Sequence, residues 1–378
     1  MKKKKIAFVL RTVGLEFDDR VRKECISLSN KYEVTIFVHF YDNRKEEGVT
    51  SYGIKYKSIK LNSRDIFPSS RFLLIKSLEF FLKTRLNLTN FDLIWLHEEY
   101  TFLFALLLGK GKFIWDLHEI PSRFETGVMK SIFHYIEKKS IKLIHANQHR
   151  INYLIERGVI KLKHKHSFIR NFPDSVFVDS AKSDYRDQKF IDWLDNSPYV
   201  YLQGLTTPKR CALESIESIF LTEGVKAIVV GKVHSDSVCI LRERYGSKLD
   251  ERIYFIGMLD QLLIPYYLKN AKFSLILYDY SAPNNIFCEP NRLYQAIALQ
   301  VPIIVGCNKP MKEIVDKFQS GISLNSDGTD MLEVTVAIDK ILYNYDFYKG
   351  HAKKFSSEIL WNDQDIANIM SKVEGMQG

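Results

Sequence analysis

Residues 289–306 read EPNRLYQAIALQVPIIVG, a short helical pattern that gives way to the apolar run PIIVG. Pro290 suits the first turn of a helix, and Asn291 can cap that helix or donate to a ligand. Arg292 adds a positive charge at the helix N-terminus, where free backbone N–H groups already favour an anion. The stretch therefore predicts a helix that binds an anion beside a buried strand.

The same succession of helix and apolar strand recurs along the whole chain. Runs that are apolar throughout are typical of strands buried on both faces of a parallel sheet, and amphipathic helical patterns separate them. The predicted strands are residues 6–10, 33–40, 93–97, 112–118, 142–147, 167–172, 199–204, 226–231, 252–257, 273–278, 302–306 and 321–324. This alternation predicts an α/β fold built from doubly wound, Rossmann-like parallel sheets.

The length of the chain and one charged segment predict the domain organisation. A domain usually holds ~100–200 residues, so 378 residues indicate two domains. We expect an N-terminal Rossmann-like domain over 1–175, a strand-poor linker over 176–198 and a C-terminal Rossmann-like domain over 199–345. Helical patterns over 346–378 are expected to pack back on the first domain. Ligands of such domains bind in the crevice at the carboxyl ends of the strands.

The composition restricts the class of partner. A net charge of +9 favours anionic partners such as phosphate esters or acidic lipids. The sequence has no recognisable nucleic-acid-binding module and no zinc-ligand spacing among its five cysteines, so neither nucleic acid nor a zinc site built on these cysteines is expected. The longest apolar runs fall short of the ~20 residues that a membrane span needs. The N-terminus resembles a first strand more than a signal peptide, which favours a cytoplasmic protein.

Candidate site residues in the first half follow predicted strands. Gly14 either brings the backbone close to a phosphate or forms a plain turn. Asp18 is either a helix N-cap or a substrate contact. The run WDLHE places Asp116 and His118 on one face of a strand and Glu119 on the other. That cluster is either a histidine paired with an acid or a functional site at a strand end.

The second half contains two candidate anion sites. Pro208, Lys209 and Arg210 follow a strand and a glycine, and we expect them to open a helix. Cations at a helix start interact unfavourably with the helix dipole unless an anion binds there, which favours a phosphate site. The alternative is that these are surface cations with no ligand. Together with Arg292, they form two basic helix starts, which suits a diphosphate.

Five motifs in chain order carry a family resemblance. They are DDRVRKECISL (18–28), IWDLHE (114–119), SFIRNFPD (167–174), YLQGLTTPKR (201–210) and EPNRLYQAIALQVPIIVG (289–306). Across nearly the whole chain this set resembles the retaining GT-B glycosyltransferases of family 4, in particular the bacterial enzymes that build capsule, lipopolysaccharide and other surface polysaccharides.

The resemblance implies a nucleotide-sugar donor held mainly by the second domain, an acceptor held by the first domain across a cleft, and neither metal nor cofactor. It assigns catalytic roles to His118, Arg210 and Arg292, with the arginines neutralising the diphosphate and His118 facing the donor sugar. The residues implied in donor binding are Gly14, Lys209, Gly257, Met258, Leu259, Glu289, Pro290, Asn291 and Gln295, with the base near 257–259. The residues implied on the acceptor side are Asp18, Arg20 and Glu119.

The chain departs from the family pattern at several positions. Phe287 and Gln295 stand where the family often has two glutamates, and Leu205 stands where many members have an arginine. Gln295 can still bond ribose hydroxyls, whereas Phe287 cannot hold a sugar hydroxyl. Two alternatives therefore stay open: a GT-B sugar-nucleotide epimerase, and a catalytically silent glycosyltransferase-like assembly partner.

The stretch 68–87 suggests how an acceptor could be reached. It combines large apolar residues with four cations: Arg71, Lys76, Lys83 and Arg85. This pattern is typical of a helix at an anionic membrane surface, and the alternative is a buried helix with a basic outer edge. With the family resemblance, it favours a lipid-linked or oligosaccharide acceptor and a peripheral location on the inner face of the cell membrane.

Overall fold

The computed structural model describes residues 3–68 and 72–377, with side chains as far as residue 374. The chain forms two compact units. The first unit comprises residues up to 170 together with those from 362 onward, and the second comprises residues 171–361.

The first unit is built on an eight-stranded sheet. Its strands are β1 (Lys5–Thr12), β2 (Glu33–Phe40), β3 (Glu47–Val49), β4 (Lys55–Ser58), β5 (Leu93–His97), β6 (Phe113–Leu117), β7 (Lys142–His145) and β8 (His166–Phe168). They lie in the order β3-β4-β2-β1-β5-β6-β7-β8, and β3 runs antiparallel to β4 while the other pairs are parallel. The strand order reverses between β1 and β5, so ligands are expected at the carboxyl ends of these strands.

In the described part of the chain, six α-helices accompany this sheet before the chain enters the second unit. They are α1 (Asp19–Ser29), α2 (Asn62–Ile66), α3 (Leu73–Leu88), α4 (Phe102–Leu107), α5 (Gly127–Lys139) and α6 (Gln148–Glu156). The central strands β5 and β6 are buried along their whole length, as their continuous apolar runs require.

The second unit contains a six-stranded, fully parallel sheet. Its strands are β9 (Tyr199–Gln203), β10 (Lys226–Val230), β11 (Ile253–Gly257), β12 (Phe273–Ile276), β13 (Ile303–Val305) and β14 (Gly321–Ser323). The order β11-β10-β9-β12-β13-β14 is that of a doubly wound Rossmann sheet, with its switch point between β9 and β12. The two-domain, doubly wound α/β prediction is therefore confirmed.

The helices of the second unit cover both faces of its sheet, and two buried apolar clusters fill the space between them. They are α7 (Ser175–Ser180), α8 (Gln188–Leu194), α9 (Ala212–Leu221), α10 (Ser235–Tyr245), α11 (Lys248–Arg252), α12 (Ile264–Leu268), α13 (Pro283–Ile286), α14 (Asn291–Ala298), α15 (Lys309–Phe318), α16 (Met331–Tyr343) and α17 (Tyr345–Phe355). The chain ends with α18 (Gln364–Gln377), which belongs to the first unit.

The observed unit boundaries differ from the expected ones at 176–198. This segment was expected as a linker, but it lies in the second unit and forms α7 and α8. Phe177 and Phe190 from these helices are buried in the core of that unit. Two apolar anchors in a charged stretch are therefore enough to fix it to the sheet domain.

All twelve predicted strands are present, with end points shifted by a few residues. The sequence pattern missed β3 and β4. Both strands lie at the edge of the first sheet, are short, and have polar sequences, EGV and KYKS. Because an edge strand needs no apolar residues on two faces, the pattern that finds central strands does not detect it.

Helix α3 exposes an apolar face, but its cations are arranged differently from the expectation. Arg71 lies outside the described residues, Lys76 is buried, and Lys83 pairs with Glu79 at 2.7 Å. Of the four cations, Arg85 is the one that is exposed and has no ion pair among the described residues. The exposed apolar residues form one stripe: Leu74, Ile75, Leu78, Leu82 and Leu86. Among the described residues, no helix has both the length and the apolar composition needed to cross a bilayer.

Candidate functional site

Three neighbouring strands of the second unit end in left-handed glycines. Gly204, Gly231 and Gly257 have φ angles of +70°, +93° and +81°. The N–H of Gly231 donates to the carbonyl of Gly257 at 2.6 Å, and the N–H of Gly204 donates to Val230 at 3.0 Å. A side chain is strained in this conformation, so the carboxyl edge of the sheet stays bare backbone. The site prediction omitted Gly204 and Gly231, although the runs YVYLQG, KAIVVG and RIYFIG all end in glycine.

Arg210 lies directly against the first of these glycines. Its Nη1 donates to the carbonyl of Gly204 at 2.8 Å. A Cβ atom on Gly204 would lie 2.9 Å from the same nitrogen, so the glycine makes room for the arginine. Pro208, Lys209 and Arg210 form a separate 3-10 turn, and Cys211, with φ +49°, separates them from α9. The expectation that they open a helix was wrong, because the left-handed Cys211 breaks the run.

Arg292 is buried, and the part of the chain that the structure describes offers it no hydrogen-bond partner. Its relative exposure is 5%, and among the described residues none bonds to its Nε, Nη1 or Nη2. Its guanidinium lies over the ring of Tyr278, 4.9 Å from the centroid, and that of Arg210 lies 5.4 Å from the same centroid. Burial, and then the charge of Arg210, lower the pKa of Arg292. Two cations beside one ring, one of them without a hydrogen bond among the described residues, have the charge and the free donors to bind an anion.

The start of α14 differs in detail from the prediction. Pro290 is the N-cap residue, and no side chain bonds to the helix start. Asn291 does not cap the helix; its Oδ1 accepts a hydrogen bond from Asn171 Nδ2 at 2.7 Å. Glu289 Oε2 accepts from the hydroxyl of Tyr294 at 2.5 Å, so this carboxylate is held against the same helix.

Gln295 connects α14 to the loop after β11. Its Oε1 is buried with no partner among the described residues, and its Nε2 lies 3.4 Å from Gln261 Oε1. The loop that begins at Gly257 leads through Met258, which is 65% exposed, and Leu259, which packs against the core, to Gln261. The residues predicted around the donor base therefore belong to a loop that contacts Gln295.

A buried ionic cluster occupies the carboxyl ends of β5 and β6 in the first unit. Arg20 donates from Nε and Nη2 to the two oxygens of Asp116, at 2.9 and 2.8 Å, and from Nη1 to the carbonyl of Ile169. Glu24 lies 3.1 Å from Arg20 Nε. Arg20 is 4% exposed and each of its three nitrogens donates a hydrogen bond, so it holds the cluster in place, and its acceptor-side role stays a prediction.

His118 lies at the half-buried end of this cluster, beside Glu98. Its Nδ1 lies 2.7 Å from Glu98 Oε1, and its Nε2 lies 3.5 Å from Asp116 Oδ2 and 3.2 Å from His97 Nδ1. Burial opposes protonation, but Glu98 and Asp116 outweigh it and raise the pKa of His118 well above its ordinary value. His97 is enclosed, and burial lowers its pKa to about 3. The cluster thus pairs a protonated histidine with a neutral one.

The other sequence candidates of the first unit take different positions. Asp18 caps α1, since its carboxylate accepts from the N–H of Val21 at 3.4 Å, and burial raises its pKa. Gly14 is in extended conformation, with φ −171°, and a Cβ there would lie 3.0 Å from the Phe17 ring. Any residue can adopt this backbone conformation, so the close approach of the Phe17 ring is the one reason the structure gives for a glycine here. Glu119 is exposed and lines a cavity.

Three side chains of this cluster have the spacing of metal ligands. One atom each of His97, Asp116 and His118 lies within 4.8 Å of the others. Both oxygens of Asp116 already accept from Arg20, and the two histidine nitrogens bond to each other. The guanidinium of Arg20 would also repel a cation at this carboxylate, so the donor set does not fit a metal ion.

A cavity of about 460 Å³ lies beside this cluster, within the first unit. Glu98 and Glu119, which follow β5 and β6, form part of its wall. Arg11, from β1, and Tyr100 form another part. Of the residues that line this cavity, the site prediction named Glu119 alone, because the others are scattered from the first strand to the residues after the sixth and lie outside the quoted motifs.

No family model matches the chain, and no curated protein matches it in sequence. Solved glycosyltransferase structures do share its fold. Sucrose-phosphate synthase from Thermosynechococcus elongatus matches with a TM-score of 0.77 and 14% identity over 99% of both chains. HepE from Anabaena, in complex with UDP-glucose, matches with a TM-score of 0.70 and 14% identity over 99% of both chains. WaaG, a glycosyltransferase involved in lipopolysaccharide biosynthesis, matches with a TM-score of 0.65 and 12% identity over 93% of this chain and 95% of its own. At these identities the likeness shows the fold, and the predicted GT-B fold is confirmed.

Proposed function

We propose that this protein is a retaining glycosyltransferase that moves a sugar from a nucleotide-sugar donor to a lipid-linked or oligosaccharide acceptor in cell-surface polysaccharide assembly. The observation that carries the proposal is the pair of arginines in the second unit. Arg292 is buried beside Arg210, has no hydrogen-bond partner among the described residues, and lies at a strand end where Gly204 carries no side chain. A diphosphate would satisfy both guanidinium groups and the free N–H groups at the start of α14.

The chemistry follows from where negative charge develops. When the bond from the sugar to the nucleotide breaks, charge grows on the leaving diphosphate, and the two fixed arginines stabilise it. Gln295 is proposed to bond the ribose, because its buried Oε1 lacks a partner among the described residues. His118, held by Glu98, is proposed to donate a hydrogen bond to a sugar hydroxyl. No metal ion enters this proposal, so a chelator should leave the rate unchanged.

We also propose that the protein binds an anionic membrane surface peripherally, through the apolar face of α3. Support comes from the exposed stripe that runs from Leu74 to Leu86, and from the net charge of +9. Flotation with phosphatidylglycerol vesicles should recover the wild type, and Leu78→Glu should reduce that recovery several-fold. Val128→Glu changes a residue of α5 that is 77% exposed and serves as the matched control. Equal loss in both variants would contradict a specific role for α3.

The deciding experiment for the enzymatic proposal measures binding and transfer in the same preparations. UDP is the first nucleotide to test because HepE, with the same fold, was solved with UDP-glucose. UDP should raise the melting temperature of the wild type and of Arg186→Gln, an exposed arginine of the second unit, but not of Arg210→Gln or Arg292→Gln.

Labelled UDP-glucose with a bacterial lipid extract should then yield a product with the anomeric configuration of the donor. Isomerisation of the donor without an acceptor would instead identify an epimerase. Failure to bind UDP, GDP, CMP, ADP or dTDP would leave the silent assembly partner.

A further inference from the structure

One residue at the carboxyl edge of the first sheet has a strained backbone. Glu98 follows β5 directly and has φ +65° and ψ +162°. This combination is almost confined to glycine. Asp195, Cys211 and Gln319 also have positive φ, but their ψ angles of +50°, +50° and +31° place them in the left-handed helical region, which other residues do visit. Glu98 is therefore strained in a way that these three residues are not.

The neighbours of Glu98 hold its backbone in this conformation. Its N–H donates to the carbonyl of Asp116 at 2.8 Å. Its carbonyl accepts from the indole of Trp115 at 3.0 Å, and from the hydroxyl and the N–H of Thr101 at 2.9 and 3.2 Å. All these bonds use main-chain atoms of residue 98, so a glycine could make them without strain. They explain how the conformation persists, and the reason for a glutamate must lie in its side chain.

The carboxylate of Glu98 contacts one nitrogen of His118. Its Oε1 lies 2.7 Å from His118 Nδ1, and its side chain is 38% exposed, on the wall of the cavity. The other ring nitrogen has longer contacts. Nε2 lies 3.2 Å from Nδ1 of the neutral His97 and 3.5 Å from Asp116, whose two oxygens already accept from Arg20. Glu98 therefore provides the short, charged contact that fixes the orientation of the imidazole.

The other charged or titratable groups around His118 do not replace Glu98. These groups belong to Asp18, Arg20, Glu24, His97, Asp116 and Arg150. Burial raises the pKa of Asp18 and of Glu24, so both carboxyl groups carry less negative charge than their residue types suggest. Arg150 donates to the main-chain carbonyl of His118 and not to its ring. Glu98 is thus the main counter-charge of the imidazole.

We propose that Glu98 is a positioning residue of the transfer reaction: its carboxylate holds the imidazolium of His118 in one orientation beside the cavity, and the strained backbone places it for that contact. The inference rests on the proposed function, which assigns His118 to a sugar hydroxyl, and deepens it by naming the group that acts through His118. A glycine at residue 98 would relieve the strain while removing the carboxylate. Stability and transfer should therefore change in opposite directions at this position.

Urea unfolding of paired variants tests the strain. Glu98→Gly and Glu98→Ala both remove the carboxylate, but only the glycine also relaxes the backbone, so Glu98→Gly should unfold at the higher urea concentration. Glu99→Gly and Glu99→Ala are the matched pair, because Glu99 also lines the cavity and lies outside the positive-φ region. There the alanine variant should be the more stable one. A Glu98→Ala variant at least as stable as Glu98→Gly would overturn the proposal.

The titration of His118, followed by NMR of the full chain, tests the contact without a ligand. Glu98→Gln keeps the size of the side chain but removes its charge, so His118 should lose its proton at a lower pH than in the wild type. Glu98→Gly should show the same change. Glu99→Gln replaces the adjacent glutamate, which pairs with Arg123, and should leave the titration of His118 unchanged. Identical titrations in Glu98→Gln and the wild type, or equal changes in Glu98→Gln and Glu99→Gln, would contradict the proposal.

The pH profile of transfer tests the role of Glu98 in the reaction. With UDP-glucose and the lipid extract at about pH 8, where an unperturbed histidine is neutral, Glu98→Gln should transfer about tenfold to a hundredfold more slowly than the wild type. This is the loss expected when a hydrogen bond to a charged group is removed. The rate should recover as the pH is lowered and His118 takes up its proton again. A purely structural defect would persist at every pH, so a constant ratio of the two rates would refute the proposal.

UDP binding, measured on the same variants, separates this inference from the proposed function. The two donor arginines belong to the second unit, so Glu98→Gln should bind UDP like the wild type. If UDP binds and sugar is transferred, but His118 titrates alike in both proteins, this inference fails and the proposed function stands. If no nucleotide binds and no sugar is transferred, while the titration of His118 still depends on Glu98, the proposed function fails and the contact between the two residues stands.

Discussion

Arg20 and Asp116 form a two-pronged ion pair that joins α1 to the end of β6, with N–O distances of 2.9 and 2.8 Å. Both side chains are almost wholly buried, and Glu24 and His97 surround them. Burial and Asp116 raise the pKa of Glu24 well above its ordinary value, so the cluster carries fewer charges than its residue types suggest. The pair fixes the carboxylate that orients His118.

Breaking this pair should destabilise the first unit strongly. Asp116→Asn leaves the buried guanidinium of Arg20 without its counter-charge, and we expect a loss of about 3–5 kcal/mol in the free energy of unfolding. Urea unfolding followed by the fluorescence of the buried Trp95 and Trp115 measures it. Asp42→Asn, which breaks an exposed pair with Arg44, should cost under about 1 kcal/mol. Similar losses in the two variants would contradict a structural role for the buried pair.

Replacing Arg292 should stabilise the protein while removing its anion site. The guanidinium is buried without a hydrogen-bond partner among the described residues, so Arg292→Met relieves a desolvation cost of about 1–3 kcal/mol. The variant should unfold at higher urea and show no shift with UDP. Arg210→Met should not gain stability, because Arg210 bonds to Gly204. A destabilised Arg292→Met would show that this side chain is already satisfied in the ligand-free protein.

Substituting two glycines that share one backbone conformation distinguishes the cost of backbone strain from the effect of a steric contact. Gly204 and Gly224 have φ angles of +70° and +71°, but a Cβ meets Arg210 at 2.9 Å in the first case and nothing within 4 Å in the second. Both alanine variants should lose about 1–2 kcal/mol from the left-handed conformation. Gly204→Ala should in addition weaken UDP binding by displacing Arg210. Unchanged binding in Gly204→Ala, by calorimetry, would exclude this role for the glycine.

His39 should make the first unit sensitive to acid. Its pKa is lowered to about 4 in the folded protein, so between pH 6.5 and pH 4 the unfolded chain takes up a proton that the folded chain does not. From pH 7 to pH 5 this costs about 2 kcal/mol of stability. His39→Phe keeps a ring against Phe80 and removes the titrating group. From pH 7 to pH 5 the free energy of unfolding of this variant should therefore fall by about 2 kcal/mol less than that of the wild type. Parallel pH profiles for the two proteins would refute the assignment.

The sequence predicted the sheets better than the site. Central strands are found because burial on both faces demands an unbroken apolar run, as in LIWLH of β5. Arg20 and Asp116 lie 96 residues apart, and no local pattern shows that they pair. The run Pro208 to Arg210 resembled a helix start because its sequence does not indicate that the next residue, Cys211, adopts a left-handed conformation and interrupts the helix.

Local pattern therefore predicts which segments are buried, while pairing between distant segments decides which charges come together in one place. Arg11 shows the same limit: it ends a strand pattern unremarkably, and only the fold brings Tyr41 and Tyr100 to its two sides.

The return of α18 to the first unit has a consequence for synthesis on the ribosome. Ile366, Ile369, Met370 and Val373 are buried, and Tyr32 bonds to Glu374 at 2.7 Å. The second unit is one continuous segment inserted into the first, so it can fold while the first still lacks this helix. The first unit therefore cannot complete its fold during synthesis until the whole second unit has been translated, and until then the apolar surface that α18 covers stays exposed.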